Sequence, residues 1–143
     1  MEKGDIVTVA LSGGADSICL ADILYNLQSR LDFTLECAHV NHNLRASESD
    51  GDEQFVRDFC KKREITLHVA SIDVMALANG KSVEEAARNA RYDFFDTLTK
   101  ENDKLIATAH TQNDNAETFF INLLRGSGGR GLCGIPRVRG NII

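Results

Sequence analysis

The sequence has one proline, Pro136, no C-x-x-C pair and no G-x-x-x-x-G-K-[ST] loop. It has no internal repeat, no low-complexity tract and no apolar run long enough to span a membrane. Each absence removes a class. Without C-x-x-C, a zinc or iron–sulfur centre has little support, and Cys19, Cys37, Cys60 and Cys133 read as reduced core thiols of a cytosolic protein. Without the Walker loop, any phosphate site must be of another kind. Positive charge is also short: 16 Lys and Arg against 21 Asp and Glu give a net charge of −5. That balance argues against a nucleic-acid-binding surface. The tail is the exception, with Arg125, Arg130, Arg137 and Arg139 and no acidic residue from Arg125 onward. It reads as a phosphate-facing end or as a solvated loop. The first residues lead straight into an apolar run, which leaves no room for a signal peptide, so a cytoplasmic location is expected.

What is present is an ordinary globular composition, 43% hydrophobic and 26% charged, in 143 residues. That length supports one domain with a real core. Strand and helix patterns alternate. The spacing predicts strands over Ile6 to Leu11, Thr34 to Val40, Thr66 to Ser71 and Lys104 to Ala109. It predicts helices over Ser17 to Leu31, Asp52 to Arg63, Val83 to Glu101 and Asn115 to Leu124. In the first helix the apolar positions are Leu20, Ile23, Leu24, Leu27 and Leu31. Regular alternation with near-continuous apolar strands indicates an α/β fold, a parallel sheet with helices on both faces. Such sheets bind ligands at the carboxyl ends of their strands. Three strand ends carry polar clusters: Ser12-Gly13-Gly14, His39-Val40-Asn41-His42 and Thr108-Ala109-His110. They are expected to converge on one crevice. Ile142-Ile143 looks like the start of a further strand, and the chain reads as truncated within a domain.

The cluster at the first turn is S-G-G-A-D-S, Ser12 to Ser17. A helix N-terminus offers unpaired N–H groups and a positive dipole end to phosphate. Gly13 and Gly14 permit unusual φ and a close approach. Ser12 and Ser17 add hydroxyls. Asp16 either caps the helix or holds Mg²⁺. A glycine pair here is also the composition of a plain tight turn.

Other clusters follow. His39 and His42, three apart at a strand end, point to opposite faces, which disfavours joint metal ligation. One histidine satisfied by backbone, the other at the crevice wall, is an equal alternative to direct ligand contact. In Ser82-Val83-Glu84-Glu85-Ala86-Ala87-Arg88-Asn89-Ala90-Arg91-Tyr92, Ser82 and Glu85 fit a capping box. Arg88 and Arg91 share a helix face and form either an anion clamp or a solvated surface. Asp114 and Glu117 fall in the first turn of a helix, where the dipole alone favours carboxylates. The glycine run Gly126 to Gly131 reads as a flexible loop, with a phosphate or substrate lid as its functional version.

The hexapeptide resembles the SGGxDS signature of PP-loop ATP pyrophosphatases, which cleave ATP between the α and β phosphates. The five runs in order resemble tRNA(Ile)-lysidine synthetases: S-G-G-x-D-S, H-V-N-H-x-L-R, S-x-E-x-x-A-R-x-x-R-Y, T-A-H-x-x-D-D-x-x-E-T and R-G-x-G-x-x-G-L. They cover almost the whole chain. One departure stands out, Asn113 in place of the first aspartate of the D-D pair.

The resemblance implies the PP-loop version of a Rossmann-like fold, one catalytic domain over 1–143, with C-terminal tRNA-binding domains absent. It implies ATP with Mg²⁺, free L-lysine and an isoleucine tRNA with a CAU anticodon as partners. No membrane partner follows, and a homodimer is compatible. ATP adenylates O2 of the wobble cytidine; the lysine ε-amine then attacks C2 and AMP leaves, giving lysidine.

On this reading Ser12, Gly13, Gly14, Asp16 and Ser17 hold the pyrophosphate part of ATP, with Asp16 on Mg²⁺. His39 and His110 join the ATP site. Arg88 and Arg91 hold the α-phosphate or the adenylated base. Asp114 and Glu117 bind or deprotonate the lysine ammonium, or orient the cytosine. His42, Arg45, Arg125, Gly126 and Gly128 contact the tRNA substrate. The rival readings are a tRNA thiolase of the same superfamily, disfavoured by the missing C-x-x-C, a small-molecule amidating ligase, and a nucleotide sensor without catalysis.

Overall fold

Four parallel strands, β1 (Ile6–Ala10), β2 (Thr34–Asn41), β3 (Thr66–Ser71) and β4 (Leu105–Ala107), make one sheet in the order β3-β2-β1-β4. The helices are α1 (Ala15–Leu31), α2 (Ala46–Lys62), α3 (Val74–Ala78), α4 (Val83–Asn102) and α5 (Gln112–Leu124). This computed structural model describes residues 3–43, 46–78, 82–102, 104–128, 133–135, 138 and 140–143. The expectations for Arg45, Arg130, Arg137 and Arg139, and for 129–131 of the glycine run, fall outside the described residues.

Alternation along the strands sorts side chains to two faces. Val7, Val9, Leu35 and Cys37 turn to one face and pack with Ala21 of α1 and Val56, Phe59 and Cys60 of α2. Ala38 and Ile106 turn to the other and pack with Phe95 and Leu98 of α4. Helices therefore cover both faces, as the near-continuous apolar strands require. Each fully buried side chain of this size contributes about 1.5–3 kcal/mol.

The buried polar atoms are mostly paired. Lys104, 4% exposed, puts its Nζ 2.7 Å from Glu36 Oε2, and His68 Nε2 lies 2.8 Å from the same oxygen. Burial works to raise the Glu36 carboxyl, but the hydrogen bonds and charges of Lys104 and His68 outweigh it and leave the group below its ordinary value.

Several details differ from the sequence pattern. Ile23 and Leu31 are exposed, because the face of α1 that meets the sheet runs through Ser17, Ala21, Leu24 and Leu27. Cys37 and Cys60 are core thiols, but Cys19 and Cys133 are exposed. Helix α2 begins six residues before Asp52, in a stretch without apolar periodicity. Helix α3 is too short to show a period. Beyond β4 the chain adds a parallel bridge between Ile106 and Ile142, which agrees with the strand-like reading of that pair.

The sheet order reverses between β1 and β4. In an open α/β sheet that switch point is where a ligand crevice opens, at the carboxyl ends. Register fixes what meets there. Ala10 pairs with Ala38 and Val9 with Ala107, so Leu11 is level with His39 and Ala109.

Candidate functional site

The turn after β1 is held by its own two hydroxyls. Ser17 Oγ donates to the Gly14 carbonyl (2.9 Å) and accepts from the Ser12 N–H (3.2 Å). Ser12 Oγ accepts from the Gly14 N–H (3.2 Å) and lies 3.2 Å from Ser17 Oγ. These hydroxyls shape the loop from inside. Gly13 sits at φ +89, a conformation costly for any residue with a side chain. The N-cap of α1 is Gly14, with no side-chain cap, so Asp16 is not a cap. The first-turn amides are then not consumed by a capping side chain, which suits a phosphate group. Gly13 and Gly14 leave the cradle a side chain would fill, and the residues fit the polyphosphate of a nucleotide. Asp16 is exposed at the start of α1. Among the described residues no three His, Cys, Asp or Glu side chains form a metal cluster.

Behind this loop lies His39, 3% exposed, its Nδ1 2.8 Å from the Leu11 carbonyl. A carbonyl only accepts, so Nδ1 carries the proton. Nε2 is buried and has no partner. The nearby Asn41 amide donates to Glu53 Oε2 of α2 (2.9 Å), and Asn41 Oδ1 accepts from the Asn43 N–H (3.0 Å). His42 is on the α4 side. Burial first, then the charges of Arg91 and His39, push its imidazole below the ordinary value. Burial also lowers the Arg91 guanidinium, which stacks 5.9 Å from the Tyr92 ring centroid. Arg88 lies 5.4 Å over the same ring. The two arginines part company here: Arg88 lines the cavity beside β4, while Arg91 sits by His42.

That cavity has a volume of about 410 Å³ and lies between α4, α5 and the end of β4. Arg88, His110, Asp114 and Glu117 line it together, with Glu84 and Tyr92. His110 Nδ1 is 3.0 Å from Thr108 Oγ1, which in turn donates to the Ile143 carbonyl (3.3 Å). Asp114 and Glu117 differ in state. Asp114 Oδ2 accepts from the Thr111 N–H (2.6 Å) and Oγ1 (2.9 Å), closing a capping box on α5. The backbone bond, then the side-chain bond, holds its carboxyl below the usual carboxylate range. Among the described residues Glu117 makes no such bond, which leaves its carboxylate open to a ligand. It stands in the second turn of α5, since the helix starts three residues earlier than the pattern suggested.

Two residues at the cavity had no assigned role in the sequence. Asn115 Oδ1 accepts from the Ile135 N–H (2.7 Å), and a side chain at Gly134, φ +71, would collide with Asn115. This pins 134–135 as a cavity wall. Arg125, Gly126 and Gly128 do not line the cavity. Gly126, φ +68, instead ends α5, its N–H bonded to the Leu123 carbonyl (3.0 Å), with Ser127 N–H on Asn122 (2.9 Å). These two residues form a helix C-cap.

Over 145 residues the chain is 44% identical to a tRNA(Ile)-lysidine synthase of Clostridium tetani, covering 99% of this chain and 31% of that one. It is 46% identical over 144 residues to the tRNA(Ile)-lysidine synthase of Chlorobaculum tepidum, 99% of this chain and 44% of that one. The chain therefore spans less than half the length of these curated relatives. A solved structure, the U34-tRNA thiolase NcsA from Methanococcus maripaludis with its [4Fe-4S] cluster, superposes with a TM-score of 0.74 at 20% identity, over 90% of this chain and 45% of that one. That likeness concerns the fold. The model of the PP-loop domain matches residues 2–142, and with the glycine turn at the switch point of the sheet, the chain belongs to the PP-loop family of ATP-binding domains.

Proposed function

We propose that the chain carries the ATP-dependent chemistry of lysidine formation, joining lysine to C2 of the wobble cytidine of an isoleucine tRNA with a CAU anticodon. The observation behind this is the grouping of Arg88, His110, Asp114 and Glu117 around one cavity at the switch point where the glycine turn also lies. The relatives' names supply the substrate class.

Cytosine O2 bonds to the α-phosphorus of ATP, the bond to the bridging oxygen breaks, and pyrophosphate leaves. The lysine ε-amine then bonds to C2, the C2–O bond breaks, and AMP leaves with the electron pair. The amine must first lose a proton, because it is almost fully protonated at neutral pH. Glu117 is the residue for that, since Asp114 is occupied with Thr111. The turn at Ser12 to Ser17 positions the pyrophosphate. Mg²⁺ supplies charge neutralisation when bound, and Asp16 is the residue to hold it. Arg88 faces the α-phosphate or the substrate carboxylate; Arg91 with His42 offers cationic surface beside it. The site belongs in the cytoplasm, with tRNA. The net charge of −5 supports placing most tRNA phosphate contacts outside this chain.

The test is incorporation of labelled lysine into an unmodified CAU-anticodon transcript by the protein at its natural length, with AMP and pyrophosphate followed together. One label per AMP is expected. ATP binding with neither label nor AMP would sink the proposal.

A further inference from the structure

Asp52 is absent from every role assigned above, yet it touches the nucleotide turn. It stands four residues before Val56, a fully buried residue of α2, so both lie on the helix face turned to the sheet. That face carries Asp52 to the carboxyl edge, against Gly13. A Cβ placed on Gly13 would lie 3.2 Å from Asp52 Cβ and 3.3 Å from Asp52 Cγ and Oδ1. Gly13 is thus required twice, by its φ of +89 and by this neighbour. The Asp52 carboxylate is exposed, and among the described residues no hydrogen bond or ion pair is recorded for it. The adjacent Glu53 is by contrast engaged, with Asn41 and Arg57. An uncompensated carboxylate beside an anion cradle opposes its ligand. A carboxylate set against the cradle and a phosphate held in it repel each other. A hard divalent cation reverses the sign, because it takes oxygen from both carboxylate and phosphate.

We propose that Asp52 is a specificity-determining residue of the nucleotide site: its carboxylate against Gly13 makes ATP binding conditional on a divalent cation. Free ATP is rejected by charge, and the Mg²⁺ complex is accepted. Negative discrimination of this kind is a recognised source of specificity. The inference rests on the ATP reading of the turn. Asp16 is the other carboxylate there, but it lies on α1 itself.

The test is calorimetric binding of α,β-methylene ATP, which resists cleavage at the relevant bond, in Mg²⁺ and in EDTA. The proteins are the wild type, Asp52→Asn, Asp52→Ser and Asp16→Asn, each first checked by thermal melting. The wild type is expected to bind at least about ten-fold tighter with Mg²⁺, and both Asp52 variants to narrow that ratio to about three-fold or less, chiefly by gaining affinity in EDTA. An unchanged ratio in the folded Asp52 variants, or a collapse seen only in Asp16→Asn, overturns the role of Asp52 and leaves the ATP reading intact. A wild type that binds nothing in either buffer overturns the ATP reading, and this inference with it.

Discussion

His39 Nδ1 lies 2.8 Å from the carbonyl oxygen of Leu11, the residue that opens the glycine turn. The bond exists because register sets Leu11 level with His39. A buried side chain of β2 therefore fixes where the loop of β1 begins. One ring nitrogen of this histidine is thereby tied to backbone at the turn, the backbone-satisfied role that the sequence left open.

His39→Ala should leave the Leu11 carbonyl without its donor and open a void. The expected loss is about 2 kcal/mol or more of folding stability, with weakened nucleotide binding. Urea unfolding and calorimetry check it. Wild-type stability in the variant would remove the anchoring role.

Gly13→Ala should abolish tight nucleotide binding and cost about 1–2 kcal/mol from backbone conformation alone, besides the crowding by Asp52. The double variant Gly13→Ala with Asp52→Ala should recover only the crowding by the Asp52 carboxyl group, since alanine keeps the Cβ, and leave the φ part. Equal stability of single and double variants would show that the Asp52 carboxyl group does not strain the loop.

Glu36→Gln should leave Lys104, a nearly fully buried ammonium, without its counter-charge, at a cost of about 3 kcal/mol at neutral pH. The sign of the pH effect follows from the lowered carboxyl of Glu36. Its stabilisation is fully present above the unfolded carboxylate value, near 4.5, and is lost as pH falls through the lower folded value. The gap between wild type and variant should therefore shrink in acid. A constant gap across that range would contradict the ion-pair account.

Glu117→Gln and Thr111→Ala separate chemistry from scaffold. Glu117→Gln should reduce lysine incorporation at least about a hundred-fold with an unchanged melting curve. Thr111→Ala should cost about 1 kcal/mol of stability through the lost cap. Its effect on incorporation should be smaller than that of Glu117→Gln. Normal incorporation by Glu117→Gln would send the proton to another group.

Much of this was legible in the residue order. Apolar strands such as Ile6 to Leu11 and the polar clusters after three of them lead to a parallel sheet with a crevice at its carboxyl edge. Other features depend on register and on competition between hydrogen bonds, which periodicity does not encode. The pattern could not say that Ser12 and Ser17 would bond each other, or that Asp114 would close on Thr111. It could not place Asp52 beside Gly13, since they are 39 positions apart and meet only once α2 packs on the sheet. Ile23 and Leu31 misled because an apolar residue is free to remain at the surface.

Ile142 adds the outermost pairing of the sheet beside β4. The Ile106 N–H bonds to the Asn141 carbonyl, and the Ile143 N–H to the Ile106 carbonyl, each at 2.8 Å. Ile142 and Ile143 also line the cavity. Opening that backbone ladder and losing the chamber wall are thus a single event. A molecule seated in the chamber must slow amide exchange at Ile106, a group outside the chamber's lining, by the free energy of its own binding.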